Sequence, residues 1–253
     1  MEMPILALQL YSLKNELEAD FAATLAAVAE MGYRAVELAN PHGRSGEEWA
    51  EELQKQGLLV VGAHVTIEDL EEKWREKVDF QRAVGNRQLV VPVPQKGWEN
   101  ARRREYEETV GRLSALAERA AGEGLDLAYH NHHWEFAPFG AGDPGCGMEV
   151  LLEQTTPDAL RFEVDTAWMT KGGWDVESML RENLDRVAMI HAKEYRGSDD
   201  SEPPMGEGDV DFPPVIALAK ARGWPVVVEY ESEPSLDGVA HSARYLQELL
   251  GKK

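Results

Sequence analysis

Short apolar, β-rich runs alternate along the chain with longer stretches whose apolar residues recur at helical spacing. The runs fall at residues 5–11, 33–38, 58–65, 88–93, 125–130, 161–165, 187–192 and 225–230. The amphipathic stretches fall at 17–30, 47–56, 69–84, 104–121, 147–154, 176–183, 215–222 and 239–249. In the first of these, Phe21, Leu25 and Val28 share one face. Alternation of this kind predicts parallel strands joined by helical crossovers. Gly32, Gly57, Gly124 and Gly223 stand just ahead of strands, where helices should stop. Eight such units in 253 residues is the usual size of a (β/α)8 TIM barrel, here one α/β domain over residues 1–253. A doubly wound open sheet is the rival. It would be unusually wide, and no linker divides the chain.

In such a barrel the chemistry sits where strands end and βα loops begin. The first strand ends near Gln9 and Ser12, the second at Glu37, the third at His64 and the fourth within residues 92–95. The fifth ends at His130, followed by Asn131, His132 and His133. The sixth ends at Asp165, the seventh at His191 with Lys193 two residues on, and the eighth at Glu229 with Glu231 two on. Taken singly, each of these reads as a hydrogen-bonded structural residue. Taken together, His130, Asp165, His191 and Glu229 come from four neighbouring strands spaced roughly 4.8 Å apart, close enough to meet at one ion. Imidazole and carboxylate donors together suit Mn, Zn, Co or Fe as the divalent ion. Both His130 and His132 point to that face if the strand continues, so either serves as the first ligand. Glu163 shares the face of Asp165 by period-two alternation and is expected deeper, paired with Lys193 or Arg161.

Composition narrows the class. Apolar residues are 43% and charged residues 28%, which excludes disorder and fibrous structure. No apolar run is long enough to span a bilayer, and the start lacks a basic n-region, so neither a membrane span nor a signal peptide is expected. Cys146 is the single cysteine, which fits a reducing, cytoplasmic setting. A net charge of −20 repels phosphate backbones, so no nucleic-acid partner is expected. Residues 140–145 formally match GxGxxG but follow no buried strand and include Pro144, so no dinucleotide site is assigned.

The segments LQLYSL at 8–13, GYRAVEL at 32–38, YHNHHWEF at 129–136, FEVDTAWMTKGGWD at 162–175, IHAKEY at 190–195, GEGDVDF at 206–212 and VVVEYE at 226–231 run through nearly the whole chain. In that order the sequence resembles the xylose-isomerase-like TIM barrel superfamily, in its sugar phosphate isomerase/epimerase branch. The resemblance implies one divalent metal held by Glu, Asp, His and Glu from strands five to eight. Carried over, these are His130 in place of the first Glu, then Asp165, His191 and Glu229. A second departure puts Trp168 where many epimerases have a histidine.

The resemblance implies a metal-dependent isomerase or epimerase acting on a sugar or cyclitol. Its chemistry would be proton transfer beside a carbonyl through a metal-stabilised enediolate. With His130 replacing a carboxylate, a symmetric two-glutamate shuttle is in question. In a one-sided scheme Glu229 or His132 acts as base, and the other or Lys193 donates the proton. Loss of a β-hydroxyl instead gives a dehydratase acting on a keto-sugar or inosose. A sugar-binding barrel without catalysis is the third reading. Gln9, Glu37, His64, Trp168 and Trp98 are the expected substrate contacts, the last two through flat aromatic faces. No basic phosphate cradle is visible, which points to an unphosphorylated substrate. A homo-oligomer is expected from related proteins alone.

Overall fold

The computed structural model describes residues 3–94, 97–140 and 142–251. Eight parallel strands form a closed barrel: β1 (Leu6–Gln9), β2 (Ala35–Leu38), β3 (Leu59–His64), β4 (Gln88–Val91), β5 (Asp126–His130), β6 (Arg161–Asp165), β7 (Val187–Ala192) and β8 (Val226–Val228). Each strand pairs with its sequence neighbours, and β1 closes on β8 with Leu6 opposite Val226. This is the predicted (β/α)8 architecture.

Alternation sorts the strand side chains into two environments. Leu8, Val36, Leu89, Tyr129, Phe162, Val164, Ile190 and Val228 point outward into the main core beneath the helices. Ala7, Ala35, Val90, Ala128, Met189 and Val227 fill a smaller apolar layer inside the barrel. The next inward positions along the strands are Gln9, Glu37, His130, Asp165, His191 and Glu229, all buried. The barrel thus has an apolar floor and a polar upper storey.

The helices follow the predicted amphipathic stretches with instructive differences. The stretch 17–30 is two helices, α1 (Lys14–Ala19) and α2 (Phe21–Glu30), because Asp20 caps the second by accepting from Ala23 N at 3.0 Å. The next helix is α3 (Gly46–Gln56). The stretch 69–84 is likewise α4 (Ile67–Glu72) and α5 (Trp74–Ala83). After α6 (Arg103–Gly122) and α7 (Gly147–Gln154), a further short helix, α8 (Thr166–Lys171), starts directly on Asp165. The chain continues with α9 (Val176–Glu182), α10 (Phe212–Arg222) and α11 (Ser235–Leu250). The four glycines expected to stop helices all take positive φ, between 69° and 92°.

Residues Pro138–Gly140 and Asp143–Cys146 form a small antiparallel pair outside the barrel, which periodicity did not reveal. The glycine-rich segment is therefore a hairpin rather than a strand-to-helix phosphate loop, with Ala141 outside the described residues. Gln95, at the expected end of the fourth strand, also lies outside them. Among the described residues no helix is long and apolar enough to cross a membrane.

Candidate active site

The polar storey is a connected ring of side chains. Gln9 Nε2 donates to Glu37 Oε2 at 2.8 Å, while Gln9 Oε1 accepts from Tyr11 N. Glu37 Oε2 lies 3.3 Å from both His64 Nε2 and His191 Nε2. Glu163 Oε2 lies 2.9 Å from His64 Nε2 and 2.9 Å from His130 Nδ1. Asp165 Oδ2 is 3.1 Å from His191 Nδ1, and its other oxygen caps α8 by accepting from Trp168 N at 2.7 Å. Glu229 Oε2 is 3.7 Å from His191 Nδ1 and accepts from Lys193 Nζ at 3.0 Å. Lys193 Nζ also donates to Glu231. Gly62 makes room for this ring, since a Cβ there would strike Glu37 Oε1.

Charge is tightly compensated. Burial opposes the charged form of His64, but Glu37 and Glu163 outweigh it and push the imidazole up to about 10. His191 is raised in the same way, with burial outweighed by Glu163 and Glu229. Burial raises Asp165, with His191 pulling against it. Burial lowers His130, and His191 and His64 add to the effect. Burial works against the Lys193 ammonium, yet Glu229, Glu202 and Glu231 hold it above its ordinary value. Glu229 is lowered because Lys193 and His191 outweigh its burial.

Two overlapping donor groups result. Asp165, His191 and Glu229 place ligand atoms within 4.8 Å of one another, and so do His64, His130, Glu163 and His191. Three of the four expected metal ligands therefore share one group. His130 falls in the other, because its Nδ1 is directed at Glu163. Glu163 does not pair with Lys193 or Arg161 as expected. Lys193 is drawn to Glu229 and Glu231, and Arg161 reaches Asp126 at the opposite barrel end. The donor chemistry fits a divalent ion of the transition series. The fit is strengthened by Glu37 Oε1, Glu163 Oε1 and His191 Nε2, which are buried and have no hydrogen-bond partner.

The rim above carries the aromatic residues. His132 stacks on Trp134 with centroids 4.4 Å apart and 7° between planes. Trp168 lies 5.6 Å from His132, and Lys193 Nζ sits 5.1 Å from the Trp168 ring. His132 is uncharged at neutral pH: burial, then His130, lower it to about 2. Trp98 is not at the mouth. It is a core residue, 1% exposed, packed 4.4 Å from Tyr106, with its indole N–H donating to Tyr129 Oη and Glu135 Oε1. Satisfying that N–H inside the protein draws the ring under the loop instead of over it. Gln9 and Glu37 are fully buried, and each orients a ring member; His64 is partly exposed.

Several contributors were not singled out from sequence. Asn131 braces β6, donating to Asp165 O at 3.2 Å and accepting from Asp165 N at 3.0 Å. Glu135 holds the β5 loop by accepting from Tyr129 Oη, Trp98 Nε1 and His132 N. Glu194 pins the 206–212 loop, accepting from Gly206 N and Val210 N. Glu202 reaches over the rim and accepts from Glu231 N at 2.8 Å; burial pushes it up to about 7, with Lys193 pulling the other way. For Asn131 and Glu194 the signal was present in the HNH and AKE segments that hold them. Glu202 stands in an irregular loop with no periodic signature. A cavity of about 570 Å³ opens beside His64, bounded by Asn40, Arg44, Thr66, Lys77 and Phe80.

The profile of the xylose isomerase-like TIM barrel family matches residues 25–249. An inosose dehydratase of Lactiplantibacillus plantarum is 28% identical over 52% of this chain and 49% of its own length, so the chain's match spans about half of that relative. An inosose dehydratase of Geobacillus thermodenitrificans is 22% identical, with 92% of this chain and 91% of that protein aligned. Among solved structures, a sugar phosphate isomerase/epimerase from Parabacteroides distasonis superposes with TM-score 0.83 at 23% identity, covering 95% of this chain and 96% of that one. An IOLI protein with a bound zinc atom superposes with TM-score 0.69 at 15% identity, covering 98% of both chains.

Proposed function

Since the chain belongs to the xylose isomerase-like TIM barrel family, we propose that it is a metal-dependent dehydratase acting on an unphosphorylated keto-sugar or keto-cyclitol. The observation that carries this reading is the one-sidedness of the polar storey. Asp165, Glu229 and Lys193 stand on the β6–β8 side, while β5 offers an imidazole, His130, with Nδ1 on Glu163. Glu37, the carboxylate that β2 sends in from across the barrel, is fully buried and engaged by Gln9, His64 and His191, so it does not stand free to oppose Glu229 as an even-handed proton shuttle requires. The curated relatives named inosose dehydratase support the same outcome.

Asp165, His191 and Glu229 would hold the metal, leaving positions for substrate oxygens. When bound, the ion supplies Lewis acidity at the substrate carbonyl. His132, whose buried Nδ1 has no partner, is assigned as the base that takes the proton from the carbon beside that carbonyl, with substrate and ion needed to offset the burial that lowers it. The C–H electron pair becomes a carbon–carbon double bond as the neighbouring C–O bond breaks. Lys193 donates a hydrogen bond to the departing hydroxyl. Glu202, a carboxyl protonated up to about 7 and bonded to Glu231 N, supplies the proton that makes the leaving group water. Lys193 is already bound to two carboxylates, so a phosphate group gains no free cation there. Trp168 and Trp134 offer flat faces to the ring.

The test incubates the chelator-stripped protein, reloaded with Mn²⁺, Co²⁺ or Zn²⁺, with inososes and keto-sugars in deuterated water. The expected result is stoichiometric metal and appearance of the conjugated enone by ultraviolet absorbance. Deuterium exchange with release of an isomer and no loss of water would replace dehydration by isomerisation. That second reading is favoured by the structural likeness to the Parabacteroides protein named as an isomerase/epimerase. Absence of both metal and exchange would leave a sugar-binding barrel.

A further inference from the structure

We propose that Glu135 is a positioning residue for the imidazole of His132, its carboxyl group tying the main chain that carries this base to the buried side chains of Tyr129 and Trp98. The inference rests on the assignment of His132 as the base. β5 ends at His130, so His132 stands on irregular backbone beyond the hydrogen bonds of the sheet. Its N–H donates to Glu135 Oε2 at 2.7 Å. The other oxygen, Oε1, accepts from Tyr129 Oη at 2.6 Å and from Trp98 Nε1 at 3.1 Å. Trp98 Nε1 also donates to Tyr129 Oη, at 3.0 Å. Glu135 and Tyr129 are fully buried and Trp98 almost so, and in such surroundings a hydrogen bond is stronger than in water.

The tied parts come from separate places in the fold. Tyr129 belongs to β5 and points outward into the main core. Trp98 follows β4, and Glu135 lies in the loop after β5, three residues past His132. One carboxyl group thus joins that loop to the outer face of its own strand and to the neighbouring connection. The stack of His132 on Trp134, 4.4 Å apart with 7° between planes, sets the tilt of the ring but allows it to slide along the indole face. The anchored main-chain N–H removes that freedom. Such a brace matters for a base carried on a loop, because a displacement of about 1 Å costs on the order of 10²-fold in rate. The role calls for an acceptor and not for a charge. Burial pushes the Glu135 carboxyl up to about 7. When protonated, it donates its own O–H to Tyr129 Oη and keeps Oε2 for His132 N. Glutamine reproduces this arrangement, with its amide NH₂ toward Tyr129 and its oxygen toward His132 N. Leucine fills the space and accepts nothing.

The test compares Glu135→Leu, Glu135→Gln, His132→Ala and the double variant His132→Ala with Glu135→Leu, each as the metal-reloaded full-length protein in the dehydration assay. Glu135→Leu should lower kcat about 10²-fold while KM and metal content stay at their wild-type values. Glu135→Gln should restore kcat to near wild type. In the His132→Ala background Glu135→Leu should change nothing further, as two residues acting through one group must. Losses that multiply in the double variant overturn the inference while the base stands. A Glu135→Leu protein that turns over at the wild-type rate does the same, as does a Glu135→Gln protein no faster than Glu135→Leu. Wild-type turnover in His132→Ala overturns the base assignment and the inference with it. A crystal structure of Glu135→Leu supplies a readout that needs no turnover. The His132 ring should have left its stack on Trp134, and a ring still in place overturns the inference. Where Glu135→Leu does not fold, Glu135→Asp, whose carboxyl falls one methylene short of His132 N, takes its place in both measurements with the same expected direction.

Discussion

At the residue scale, Lys193 carries the largest burden. The residue is 4% exposed and its ammonium is held between Glu229 and Glu231. Lys193→Met leaves Glu229 buried beside no ammonium, so stability should fall by about 3 kcal/mol in urea denaturation. Turnover should fall roughly 10²-fold or more if the ammonium assists the departing hydroxyl. Glu135 yields a pH prediction of opposite character. Burial lifts it from 4.5 to about 7, against the pull of its Tyr129 hydrogen bond. The folded protein therefore keeps this proton up to about 7, whereas the unfolded chain loses it near 4.5. Between those values the native state binds more protons, so the group's contribution falls as pH rises. Above about 7 the loss is complete. Glu135→Gln should remove this slope: wild-type stability measured by denaturant titration should decline relative to the variant across that window and run parallel above it.

At the element scale, Gly62 on β3 is a constraint of shape. A methyl group there meets Glu37 Oε1, so Gly62→Ala should leave far-ultraviolet circular dichroism intact yet weaken metal uptake, read by a chelator competition titration. Most elements were legible in the sequence because apolar alternation and helical spacing are local properties. The strand ends were legible for the same reason: Asp165, His191 and Glu229 each close an apolar run. What was not legible is contact between strands far apart in sequence. Glu163 was expected to pair with Lys193 or Arg161, but its partner His64 comes from 99 residues away and no local spacing encodes that. Trp98 looked like a rim aromatic because the chain nearby is loop. Only the tertiary position of Glu135 shows that its indole N–H is satisfied inside. Asp20 and the start of α8 were missed because a capping carboxylate can interrupt a helix without breaking the apolar rhythm.

At the scale of the whole molecule, the polar storey concentrates Glu37, Glu163, Asp165 and Glu229 among three imidazoles and the Lys193 ammonium. A bound divalent ion should therefore stabilise the entire barrel, by about 2.7 kcal/mol at a hundredfold excess over Kd. The melting temperature should rise with added Co²⁺ or Zn²⁺ and fall on chelation, and it should be indifferent to Na⁺ at matched ionic strength. An unchanged melting temperature would speak against any ion in the ring.

The seam between β1 and β8 has a consequence for biosynthesis. The stave that seals the cylinder is made last, and it brings Glu229 with it. A nascent chain still lacking those residues has seven staves and an open side, however well its earlier parts have condensed. The ring of polar side chains is thus completed only when the eighth strand docks against the first.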